Sequence, residues 1–143
     1  MVDWKQLAAQ MEGWTVLVVD DEPDSLDVAS TLLEMVGVSV LIASNGKLGL
    51  ELARAHRPRF IISDLSMPEM SGWEMLKHLK ADVATQDIPV IALTAHAMRG
   101  DRERAVAAGF HNYLTKPLRP ETFINDLLKL LVDIPQMAGM LGL

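Results

Sequence analysis

Five side chains able to do chemistry stand where short apolar runs stop. Thr15-Val-Leu-Val-Val19 runs into Asp20-Asp21, Phe60-Ile-Ile-Ser63 into Asp64, Ile88-Pro-Val-Ile-Ala-Leu93 into Thr94, and His111-Asn-Tyr113-Leu114 into Thr115-Lys116. Each has an ordinary explanation alone. An Asp at a strand end usually caps the loop, Asp20 and Asp21 could start the following helix, Thr94 could cap another, and most lysines are solvated. Taken together they come from several strand ends, and a parallel sheet brings such ends to one edge, where open α/β folds bind ligands. Three carboxylates in one small site repel by about 4 kcal/mol per pair at ~4 Å and an effective dielectric near 20. Such a cluster takes up protons or a cation. Oxygen donors without cysteine favour a hard cation, Mg2+ in particular.

Mg2+ held by few carboxylates keeps positions open for water and phosphoryl oxygens. Phosphoryl transfer needs an in-line nucleophile and neutralisation of three equatorial oxygens. Asp64 is the candidate nucleophile, able to form an acyl phosphate. Lys116 supplies fixed positive charge, and the Thr94 hydroxyl is a further donor. The chain has no GxxxxGK[ST] loop, so the phosphate must come from a donor other than a Walker-type nucleotide site.

The elements that must position these groups alternate. Residues 15–19 form a continuous apolar strand of the kind covered on both faces. Leu26, Ala29, Leu32, Leu33 and Val36 recur at helical spacing up to Gly37. A second strand over 38–43, a helix carrying Leu48 to Ala55, a third strand over 60–63 and a helix set by Trp73, Leu76 and Leu79 follow. A fourth strand over 88–93, an Arg-rich helix over 98–108, a fifth strand over 111–114 and a last helix opening at Pro120 or Glu121 complete the body. Trp4, Leu7, Ala8 and Met11 give a short leading helix capped by Asp3. The stretch 135–143 has no clear period and is read as loose, or docked on a groove. Five strands alternating with helices and short loops make an α/β protein with a parallel sheet covered on both faces. The division is an N-terminal helical extension (1–13), a body (14–133) and a C-terminal tail (134–143).

Half of the 143 residues are apolar, 22% are charged and the net charge is −6, ordinary for one globular domain. There is no basic stripe for direct nucleic-acid binding, no cysteine for disulfides or thiol chemistry, and no apolar run near the roughly 20 residues of a membrane span. The N-terminus lacks the order of a secretory signal, so a cytoplasmic location is expected by default.

Val18-Val-Asp20-Asp21-Glu22-Pro23, Ser63-Asp64-Leu-Ser-Met67-Pro68-Glu-Met-Ser-Gly72, Thr94-Ala95 and Tyr113-Leu-Thr-Lys116-Pro117 resemble the receiver domains of bacterial two-component response regulators, over about residues 15–133. The resemblance implies a flavodoxin-like, doubly wound sheet in the order 2-1-3-4-5. It implies that Asp64 accepts a phosphoryl group from a phosphohistidine on a sensor histidine kinase or histidine phosphotransfer protein. Asp21, Asp64 and the main-chain carbonyl of Ser66 would ligate Mg2+, with Asp20 assisting and Mn2+ as a substitute. Thr94 and Tyr113 would form a switch pair, and Lys116-Pro117 would carry a cis peptide. Added phosphate brings roughly −1.5 to −2 charge, which Thr94 and Lys116 meet by moving. The expected output face is therefore the helix after strand four, strand five and the helix after it, for a downstream protein or a second copy in a homodimer.

Other residues are weighed against that frame. Ser66 and His96, two positions beyond Asp64 and Thr94, flank the mouth of the expected site, and His96 is either a tuner of dephosphorylation or a solvated surface residue. His56, His78 and His111 show no ligand spacing. Leu65 and Trp73 read as packing. Arg99, Arg102 and Arg104, interleaved with Asp101 and Glu103, read as a solvated face, less often a dimer or partner surface. No output domain is expected after Asp133. The reading is a phosphoacceptor that catalyses its own phosphorylation and dephosphorylation, not a conventional turnover enzyme. It acts as an interaction module or a phosphorelay carrier. One rival is a Mg2+-dependent phosphatase with Asp64 as nucleophile, which would want a second acid for the leaving group. Another is a flavin carrier, which the charged pocket disfavours.

Overall fold

The structure is a computed structural model and describes residues 3–95 and 101–143. The His96, Met98 and Arg99 expectations fall outside those residues. The five strands are β1 (Thr15–Val19), β2 (Ser39–Ala43), β3 (Ile61–Asp64), β4 (Val90–Thr94) and β5 (Asn112–Thr115), all parallel in the order β2-β1-β3-β4-β5. The helices are α1 (Trp4–Ala9), α2 (Pro23–Met35), α3 (Gly46–His56), α4 (Gly72–Ala81), α5 (Asp101–Ala108), α6 (Phe123–Leu131) and α7 (Pro135–Met140). The flavodoxin-like sheet order and short leading helix agree with the sequence reading.

Successive strand residues point to opposite faces, and both faces are dry. In β1, Val16 and Val18 join one core with Leu26, Ala29 and Leu33 of α2 and Phe123, Leu127 and Leu131 of α6. Leu17 and Val19 join the other, with Leu50 of α3, Met75, Leu76 and Leu79 of α4 and Ala105 of α5. Ile61 and Ile62 of β3 and Val90 to Leu93 of β4 divide in the same way, which is why these stretches are apolar throughout rather than alternating. β2 is an edge strand with exposed Ile42.

Helix ends follow local chemistry. The Asp3 side chain accepts from the Lys5 and Gln6 N–H groups, as expected of a cap. Ser71 and Glu74 form a reciprocal capping box that fixes the start of α4. Gly37 ends the chain segment after α2 at φ +90, where a Cβ would also meet the Glu12 side chain. The last body helix begins at Phe123, later than Pro120 or Glu121, because residues 120–122 form turns.

The tail differs from the looser reading. Residues 135–140 are helical, and Ile134, Met137 and Leu141 are buried in the same core as Leu7, Met11 and Trp14 from the N-terminal segment. The two glycines and the short length hide this helix in the sequence, since burial of Met137 against the body, and not local propensity, holds it.

Candidate functional site

The carboxyl ends of β1, β3, β4 and β5 border one cavity of about 470 Å3, lined by Asp21, Glu22, Asp64, Ser66, Thr94 and Lys116 among others. β3 delivers Asp64 as its last residue, and the loop behind it folds back tightly. The Gly72 N–H donates to the Leu65 carbonyl at 2.9 Å, and the Ser63 hydroxyl donates to the Asp64 carbonyl at 2.8 Å. Gly72 lies so close to the Asp64 carbonyl that there is no room for a Cβ. Asp64 Oδ1 accepts from the Leu65 N–H at 2.7 Å. The carboxylate is thus oriented by its own loop.

Lys116 arrives from the end of β5. Its N–H donates to the Thr94 carbonyl at 2.8 Å, which ties the two strand ends together, and the Lys116-Pro117 peptide is cis, as expected. The ammonium donates to Asp64 Oδ2 at 3.2 Å, Asp20 Oδ1 at 3.1 Å and Glu22 Oε1 at 2.6 Å. With its side chain 7% exposed, it is a buried charge with carboxylates around it. Burial alone would lower its pKa. The hydrogen bonds to Asp20 and Glu22, with the charges of Asp20 and Asp64, outweigh burial and hold it above the usual lysine range.

Asp20 is fully buried, and its Oδ1 also accepts from the Glu22 N–H at 2.9 Å. Its Oδ2 lies 2.8 Å from the ammonium as an ion-pair contact but receives no hydrogen bond. Asp20, Asp21 and Asp64 each bring one carboxylate oxygen within 4.8 Å of the others. A buried carboxylate beside two more, with one oxygen met by an ion-pair contact alone, is the donor set a hard divalent cation fits. Without a cation, burial and then the Asp20 charge raise the Asp64 pKa to about 6, against the opposing pull of Lys116.

The sign of that shift makes a prediction. A carboxyl raised from 3.8 to about 6 on folding contributes stability that is complete below pH 3.8 and lost as pH rises through about 6. In chelator, the Asp64→Asn protein should therefore be more stable than wild type at pH 8 by about 2 kcal/mol, and the gap should shrink towards pH 4. Urea unfolding at the two pH values measures it. Equal gaps at both would contradict the assignment.

Most expected site residues meet. Asp20, Asp21, Asp64 and Lys116 converge, Thr94 is buried at the cavity wall, and exposed Ser66 lines it. Tyr113 is not in the lining; it is half-buried against the second core, with the Arg102 guanidinium 5.8 Å from its ring. His111 accepts from the Val90 N–H at 3.3 Å, and burial, then Lys80, lower its pKa, in keeping with a structural role.

Two residues were not assigned to the site from the sequence. Glu22 ion-pairs with Lys116, and the Asp-Asp-Glu run was its only signal. Arg104 lines the cavity, with its guanidinium 5.5 Å from the Trp73 ring centroid. The alternating charges of α5 suggested a solvated face and gave no sign of this contact. Trp73 packs edge-on against Phe110 at 5.5 Å, as the packing reading expected.

Known proteins agree with this geometry. The family model described as response regulator receiver domain matches residues 16–128. The polar-differentiation response regulator DivK of Brucella anthropi is 40% identical over 119 residues, covering 83% of this chain and 97% of that protein. The chemotaxis response regulator CheY4 of Vibrio cholerae superposes with a TM-score of 0.77 at 31% identity, covering 82% and 98% of the two chains. The receiver domain of the Pseudomonas aeruginosa sensor histidine kinase PA1611, solved with a magnesium ion coordinated in its active site cleft, superposes with a TM-score of 0.74 at 30% identity, covering 85% and 96%. With four strand ends converging on an acidic cavity around one buried lysine, and with these matches spanning most of its length, this chain belongs to the response regulator receiver domain family.

Proposed function

We propose that this protein takes a phosphoryl group from a phosphohistidine onto Asp64 and uses the resulting charge to change a protein-binding face. The observation that carries the proposal is the Asp64 carboxylate, fixed by the Leu65 N–H and faced by the buried Lys116 ammonium. The Asp64 carboxylate attacks phosphorus in line as the P–N bond breaks. The bond's electron pair stays with the imidazole, which is released as the neutral base or picks up a proton from water. Lys116 holds a phosphoryl oxygen, and the Thr94 hydroxyl donates to another. Asp21, Asp64 and the Ser66 main-chain carbonyl, with Asp20, would hold Mg2+ or Mn2+, which neutralises charge shared by the carboxylates and the phosphoryl oxygens. The protein reacts with its own phosphate and is not a conventional turnover enzyme.

The partners are a sensor histidine kinase or histidine phosphotransfer protein upstream, and downstream a protein, or a second copy, on the α5–β5–α6 face. Tyr113 sits on that side of the sheet, so movement of Thr94 towards phosphate and of Tyr113 behind it would reach the surface. A partner that binds one arrangement better reads the state. Residues 14–133 form the signalling body, with α1 and α7 as extensions docked on its core. Among the described residues no helix is long and apolar enough to cross a membrane.

Incubation with Mg2+ and acetyl phosphate, followed by intact mass, tests the proposal. The expected result is one added phosphate in wild type and none in Asp64→Asn or in chelator. Multiple turnover of a small phosphate ester without a stable adduct would favour the phosphatase reading instead.

A further inference from the structure

On one side the sheet ends at β2. The Ser39 N–H donates to the Trp14 carbonyl at 2.8 Å, and the Ala43 carbonyl accepts from the Asp20 N–H at 3.0 Å. Ser39, Leu41 and Ala43 therefore turn their main-chain groups towards β1, and Val40 and Ile42 turn theirs outward. Among the described residues no main-chain group meets the N–H and carbonyl groups of Val40 and Ile42 on that outer side. An open row of this kind recruits another strand, and edge strands are ordinarily blunted by Lys, Pro or an inward charge. β2, Ser-Val-Leu-Ile-Ala, has none of these.

The surroundings of the strand are equally bare of charge. Met35 to Gly46 is the longest stretch of the chain without Asp, Glu, Lys or Arg. Ile42 is 51% exposed within it, exposed Met35 ends α2 before it, and exposed Leu48 stands in the first turn of α3 after it. Single exposed apolar residues are ordinary, but several gathered at one open edge mark a contact surface. The protein carries −6 overall, so two copies repel across most of their surface and approach most easily where charge is missing.

The strand is also its own complement. In an antiparallel pair with its two-fold axis beside Leu41, Val40 of one copy stands opposite Ile42 of the other, and each such pair exchanges both N–H···O=C bonds. Every outward group is then satisfied. Val40 and Ile42 pack as β-branched cross-strand pairs on one face, and Leu41 meets Leu41 on the other. A slip of one residue would set outward groups against inward ones and lose the bonds.

We infer that β2 is a self-association edge, where two copies of this chain join by antiparallel β2–β2 pairing about Leu41 and double the five-stranded sheet. The contact is isologous and closes at the dimer. It uses neither the Asp64 cavity nor the α5–β5–α6 face, which lies at the far edge of the sheet. It therefore stands or falls independently of phosphoryl acceptance.

Sedimentation velocity of the unphosphorylated protein tests it. A short edge makes a small interface, so association should develop over about 10–500 μM protein. The mean mass should climb over that range from the 15.8 kDa monomer towards twice that value. Ile42→Lys puts a charge on the edge, and Ile42→Pro removes an outward N–H without touching a bond to β1; both should stay monomeric. Circular dichroism checks that each is folded, and Ile42→Lys decides if the proline variant is not. Leu41→Cys reads the register. The Cα separation of about 4.5 Å in a non-hydrogen-bonded pair suits a disulfide, and the chain has no cysteine of its own. Mild oxidation should link Leu41→Cys chains in pairs far faster than Val83→Cys chains, whose position is 83% exposed and outside the strand. A wild type that stays monomeric throughout, a dimer that Ile42→Lys does not weaken, or equal linkage of the two cysteine variants overturns the inference.

Discussion

Lys116→Met is expected to lose both stability and phosphoryl acceptance. Methionine fills a similar volume, so the change isolates the charge. It leaves Asp20, fully buried, and Asp64 without the ammonium that now lies 2.8 and 3.2 Å away. Stranding buried carboxylates costs about 3 kcal/mol or more, which for a chain of this size corresponds to a fall of roughly 10 °C in Tm. The loss should shrink as pH falls and Asp64 takes up a proton, which begins above pH 6 because the opposing pull of Lys116 is gone. Mg2+ should recover part of the stability by taking over the neutralisation. It should not recover the transfer rate, since removing a fixed donor to the reacting group typically costs about 100-fold or more. Thermal melts with and without Mg2+, beside acetyl phosphate kinetics, separate the two effects. A Lys116→Met protein as stable and as reactive as wild type would show that the lysine is a bystander.

The second large effect is expected at an uncharged residue, Gly72, which packs on the main chain of Asp64. A methyl group at Gly72 would press directly on the Asp64 carbonyl and come within 3.1 Å of Ser63 Oγ. Both belong to the end of β3, so relief requires moving the strand end that carries the nucleophile. Overpacking against backbone of this kind costs about 3 kcal/mol or more, and the folded fraction should accept phosphate more slowly because Asp64 has shifted. Gly139→Ala is the matched control: a Cβ there meets nothing within 4 Å, so stability should change by less than about 1 kcal/mol. Urea denaturation of both variants checks the contrast, and similar losses in the two would contradict it.

The sheet and the residues of its acidic edge were legible because they are written in runs. A strand buried on both faces is a mostly apolar string without alternation, and the polar residues that close it mark the edge, which placed Asp20, Asp64 and Thr94. Features made by tertiary contact were not legible. α7 owes its helix to Met137 and Leu141 finding the core, and Pro135 at its first position is a weak local signal beside two glycines. Arg102 and Arg104 alternate with acidic residues as solvated helices do, yet they lie over Tyr113 and Trp73, because those rings come from other elements. Glu22 follows two aspartates and is exposed, and only the position of Lys116 shows that it is an ion-pair partner. Thr94 stands at the cavity wall and Tyr113 outside its lining.

The most direct measurement is chemical placement of the phosphate. The protein is treated with acetyl phosphate and Mg2+, reduced with borohydride to turn an acyl phosphate into a primary alcohol, digested, and sequenced by tandem mass spectrometry. The account expects homoserine at position 64 alone, dependent on Mg2+. Homoserine at position 20 or 21 in place of 64, or phosphate retained on a serine or threonine hydroxyl, would contradict it.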